Sequence, residues 1–106
     1  MSTIQILVIG RHPEIMETIL RLINNKPGWE GTAALTNEEA ISAFQEKEFD
    51  IVLLGAGIPP AETEHLRQFF NTHKPNIPVI QHYGGGSGLL YAEVLQAVNK
   101  QNKGEV

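Results

Sequence analysis

Four consecutive apolar residues, Ile51-Val52-Leu53-Leu54, constrain this chain more than any other stretch. The run is too short for a helix, is β-branched at its front and is bounded behind by Gly55-Ala56-Gly57-Ile58-Pro59, so it reads as a strand buried on both faces. Such a strand belongs in the middle of a parallel sheet with helices above and below it. In open parallel sheets ligands sit outside the carboxyl ends of the strands, here Gly55, Ala56 and Gly57, and none of the three carries a functional group.

The rest of the chain supplies the elements such a sheet needs. Ile4 to Ile9 is a second near-continuous apolar run, closed by Gly10. Pro13 suits the first turn of a helix, Ile15, Ile19 and Ile23 with Met16, Leu20 and Leu22 form its apolar face, and Asn24-Asn25-Lys26-Pro27-Gly28 ends it. Trp29 to Leu35 is a weaker strand, interrupted by Gly31 and suited to a sheet edge. Thr36-Asn37-Glu38-Glu39 has the form of a capping box, with Ala40, Ala43 and Phe44 as the packing face behind it.

After the central strand, Pro59-Pro60 opens a helix with Glu62 and Glu64 near its positive end, Leu66, Phe69 and Phe70 inward, and Lys74-Pro75 as its stop. Ile77 to Gln81 is a fourth short strand. His82-Tyr83 then leads through Gly84-Gly85-Gly86-Ser87-Gly88 to a last helix over Leu89 to Lys100, with Leu90, Val94, Ala97 and Val98 on one face and Tyr91 and Leu95 flanking. Strand and helix alternate four times with short connections. The pattern predicts one α/β domain over residues 1–106, with right-handed crossovers and helices on both faces of a parallel sheet.

Composition narrows the partners. A formal charge of −4 provides no basic stripe for phosphate backbones, which argues against nucleic acid. The absence of cysteine excludes disulfides, thiolate metal sites and cysteine nucleophiles. No apolar stretch approaches membrane-spanning length and no secretory leader is visible, so the expectation is a cytoplasmic protein without a membrane contact.

The order of elements and several local strings resemble the receiver domain of two-component response regulators. In that family the first strand ends in a pair of acids, often followed by His-Pro; the corresponding string here is Ile6-Leu7-Val8-Ile9-Gly10-Arg11-His12-Pro13, with Gly10 and Arg11 at the acid positions. The family's third strand ends in the aspartate that accepts phosphate, whereas Asp50-Ile51-Val52-Leu53-Leu54 is followed by Gly55. The fourth strand in the family ends in Thr or Ser, and Pro78-Val79-Ile80-Gln81-His82-Tyr83 carries Tyr83 there. The family's next helix and its fifth strand, which ends in Lys-Pro, have no counterpart before the last helix.

The resemblance covers about residues 4 to 83. It implies a doubly wound, flavodoxin-like three-layer sandwich whose mainly four-stranded parallel sheet has the order 2-1-3-4 and is truncated after the fourth strand. It further implies a degenerate site at Gly10, Arg11, Gly55 and Tyr83, without the carboxylates that phosphoryl transfer and Mg²⁺ require. The expected function is that of a pseudo-receiver: a signalling or scaffold module that is not phosphorylated and acts through a protein partner, with homodimerisation through the uncovered edge of the fourth strand.

A second reading comes from what that strand order brings together. Arg11, His12, His82 and the loop residues Gly85, Gly86 and Ser87 would meet at one cleft, where glycine N–H groups ahead of a helix offer the elements of an anion or phosphate cradle. The more ordinary explanation of the loop is a short connection with Ser87 as a cap. The loop has no Lys-Ser/Thr of a Walker sequence and no dinucleotide fingerprint. His65 and His73 stand eight apart, too far for a helical zinc pair, and Ser87 lies outside any nucleophile elbow. The expectation is therefore no catalysis, no metal site and no cofactor.

Overall fold

The computed structural model describes residues 3–55, 57–81 and 87–103. Strands β1 (Ile4–Ile9), β2 (Trp29–Ala34), β3 (Ile51–Leu54) and β4 (Val79–Gln81) alternate with helices α1 (Pro13–Asn24), α2 (Asn37–Glu46), α3 (Pro60–His73) and α4 (Ser87–Lys103). All three strand pairings are parallel, and the sheet order is β2-β1-β3-β4. This is the flavodoxin-like α/β arrangement expected from the sequence, with β2 at one edge.

The alternation of side chains along β1 and β3 divides the core into two layers. Ile6, Val8, Ile51 and Leu53 face α1 and α4, where Met16, Ile19, Ile23, Leu90 and Val94 meet them. Leu7, Ile9, Val52 and Leu54 face α2 and α3, against Ala40, Leu66 and Phe70. Every side chain of β3 is fully buried, and burial of each contributes about 1.5–3 kcal/mol. The unbroken apolar run follows directly from having helices on both sides.

Local chemistry sets most element ends. Pro13 stands at the start of α1, and Thr36 Oγ1 accepts from the Glu39 N–H at 3.0 Å to cap α2. Glu39 reaches back one residue further than a capping box does, accepting from the N–H of Leu35 at 2.8 Å. Gly28, at φ 83°, supplies the left-handed turn into β2.

Three expectations shift. Ile15 is half exposed rather than inward, because Met16, Ile19 and Ile23 form the line that meets the sheet and a residue one step earlier is rotated about 100° from it. The fourth strand begins at Val79, since the Ile77 N–H turns back to Lys74 O at 3.1 Å. The last helix is longer than expected at both ends. It shares the α1 face of the sheet: the Tyr91 hydroxyl donates to Leu22 O at 2.9 Å, and its ring meets Trp29 edge-on.

Candidate functional site

The carboxyl ends of β1 and β3 lie side by side. The Gly10 N–H continues the ladder to Ala34 O at 3.1 Å, and the Gly55 N–H donates to Ile9 O at 2.7 Å. Both residues are glycine, and the space beside each is already taken. A Cβ on Gly10 would stand 2.6 Å from the Sδ of Met16; one on Gly55 would stand 3.2 Å from the carbonyl oxygen of Ile9. Among the described residues, what lies against these two glycines is backbone and a thioether.

Arg11, next along, is the organising charge. Its guanidinium donates to Leu35 O at 3.1 Å, to the side-chain oxygen of Asn37, and to Glu62 Oε1 at 2.8 Å. The Asn37 side-chain amide donates to the same Glu62 oxygen at 3.1 Å. One side chain from the end of β1 therefore ties together the β2–α2 connection, the start of α2 and the first turn of α3. The fork geometry of a guanidinium suits such bridging, since its donors diverge in one plane. Sequence reading took Asn37 as part of a cap and Glu62 as a helix-start charge; their common partner lies 26 and 51 residues away, beyond what local spacing reveals.

His12 occupies the N-cap position of α1 without a side-chain capping bond. Its Nε2 lies 2.8 Å from where a Cβ on Gly57 would stand, and Gly57 has φ 91°. The imidazole accordingly covers the β3–α3 turn, and only a glycine there permits both the turn and the ring. From the far side, Gln81 turns its amide toward Leu54 O and Gly55 O at 3.4 and 3.5 Å, at the long limit of a hydrogen bond.

Of the residues expected at this site, Gly10, Arg11, His12 and Gly55 converge at the sheet end. Ser87 opens α4. His82, Tyr83, Gly85 and Gly86 lie outside the described residues. Among the described residues, no group of three or more His, Cys, Asp or Glu side chains is placed to hold a metal ion, and no helix is long and apolar enough to cross a membrane.

No protein-family model matches the chain, and no curated protein matches it. Solved structures do. The signal receiver domain of an HD domain-containing protein from Pseudomonas fluorescens Pf-5 is similar with a TM-score of 0.83 at 15% identity, over 99% of this chain and 93% of that one. A CheY-like response regulator receiver domain protein from Methanospirillum hungatei JF-1 gives 0.79 at 16%, over 96% and 98%. A response regulator receiver domain protein from Clostridium thermocellum gives 0.75 at 18%, over 93% and 97%. At these identities the likeness establishes the receiver fold.

Proposed function

We propose that this chain is a pseudo-receiver, a signalling or scaffold module that is not phosphorylated and works by contact with a protein partner. The observation that carries the reading is the sheet end itself: Gly10 and Gly55 supply no carboxylate, Met16 fills the space beside Gly10, and Arg11 brings a positive charge already bonded to Glu62. A carboxylate nucleophile and a magnesium ion both need oxygen ligands at this point. The acid that pairs with Arg11, Glu62, shares one oxygen between Arg11 and Asn37. The residues present do not fit the metal.

The likeness to receiver folds supports a role in a signalling pathway, and the sheet end gives the reading no catalysis. The β4 edge is the contact side in this proposal, because among the described residues no strand lies beyond it. A second copy of the chain is the proposed partner there. An anion sensor is disfavoured, since an anion approaching Arg11 must displace Glu62 and Asn37 from it.

The test is treatment with a small phosphodonor and magnesium, followed by mass spectrometry of the peptide spanning residues 49–60. The expected result is no acyl phosphate. Its appearance in that peptide would overturn the reading.

A further inference from the structure

The outer edge of β4 can be read bond by bond. The Val52 N–H donates to Pro78 O at 2.9 Å, and Val52 stands opposite Val79 in the register. In a parallel pair such a residue bonds to the two neighbours of its opposite number, so Pro78 and Ile80 face β3 while Val79 and Gln81 face outward. One outward group is already taken: the Arg67 guanidinium, from α3, donates to Val79 O at 2.7 Å.

We propose that Arg67 is a guard on this edge, holding the carbonyl that an incoming strand would need and so setting how readily a second copy of the chain adds to β4. The inference rests on the contact side proposed above and concerns its control. A second copy is the fitting occupant because the edge is self-complementary. With a twofold axis at Ile80, Val79 of one copy stands opposite Gln81 of the other in an antiparallel pair, and these two residues are the ones whose N–H and C=O groups point outward. Ile80 then meets Ile80 of the second copy at the position between them, where antiparallel pairs exchange no bonds. Two such pairs form at once, and each needs a Val79 carbonyl released from its own Arg67.

The test is sedimentation velocity over a concentration series for the wild-type chain, Arg67→Ala and Arg67→Lys, with amide exchange at Val79 and Gln81 followed by NMR. Removing two charge-assisted bonds per dimer should tighten self-association of Arg67→Ala by about tenfold or more, with Arg67→Lys between it and wild type. The Val79 and Gln81 amides should slow as concentration rises.

A wild-type dimer that Arg67→Ala fails to tighten would overturn the guard and leave the contact side standing. No association by any of the three proteins would remove the contact side and the guard together. A dimer of Arg67→Ala with fast Val79 and Gln81 amides would put the second copy on another face and overturn the proposal. So would a monomeric variant whose two amides slow only on adding a synthetic peptide of alternating valine and threonine, which would give the edge to a foreign strand. If Arg67→Ala does not fold, the same readouts on Arg67→Lys decide.

Discussion

The sulfur of Met16 stands 2.6 Å from the point that a Cβ on Gly10 would occupy. Any side chain at residue 10 must push that thioether into a core where Met16 is almost wholly buried. Gly10→Ala is expected to lower stability by about 1–3 kcal/mol, and Gly10→Asp by more, without creating a magnesium site. Urea unfolding of Gly10→Ala, Met16→Ala and the double variant checks it: the double variant should be more stable than the sum of the single changes implies.

The Arg11 bridge should matter more for local order than for global stability. Glu62 is close to half exposed and Arg11 less so, at 45% and 23% of their side chains. Glu62→Gln is expected to cost about 0.2–1 kcal/mol, a loss that shrinks between low and high salt. Unfolding at two sodium chloride concentrations measures it. A larger, salt-independent cost would mean that something other than charge attraction between Glu62 and Arg11 holds the site.

Tyr91→Phe keeps the ring against Trp29 and removes the bond to Leu22 O. The expected loss is about 0.5–1.5 kcal/mol. Trp29 is the chain's one tryptophan and is buried, so its emission should remain blue-shifted in Tyr91→Phe and move to the red in Tyr91→Ala.

Phe70 is fully buried, with its ring centroid 4.7 Å from Phe44 and 5.4 Å from Phe69. Phe70→Ala empties the layer between the sheet and α3 and is expected to cost about 3–5 kcal/mol. Phe69→Ala, whose ring is only partly buried, should cost clearly less. Thermal unfolding of the pair gives the comparison.

What could be read from the sequence followed from local rules. The apolar runs of β1 and β3, Pro13 at the start of α1 and the Thr36 cap each depend on neighbours a few residues away, and all stand as expected. The strand order followed from the family resemblance. The readings that shifted depended on tertiary packing: Ile15 is apolar and helical yet turned from the sheet, and Ile77 is buried in a turn ahead of β4 rather than within it. At the candidate site, Gly10, Arg11 and Gly55 could be recognised as strand ends. Nothing in the spacing of Arg11, Asn37 and Glu62 announces that they bond, since the contact exists only after two crossovers bring the element ends together.

The position of α4 bears on how this chain is born. Ile6, Val8, Ile51 and Leu53 leave the ribosome well before Leu90 and Val94, which cover part of the same layer. At about 5–20 residues per second, roughly 2–8 s separate the emergence of Leu54 from that of Val94, and over that interval α1 alone covers that side of the strands. A chain stalled before Leu90 should accordingly be cut by protease and engaged by chaperones, whereas one carrying an added unstructured linker long enough to bring Val98 clear of the exit tunnel should resist both.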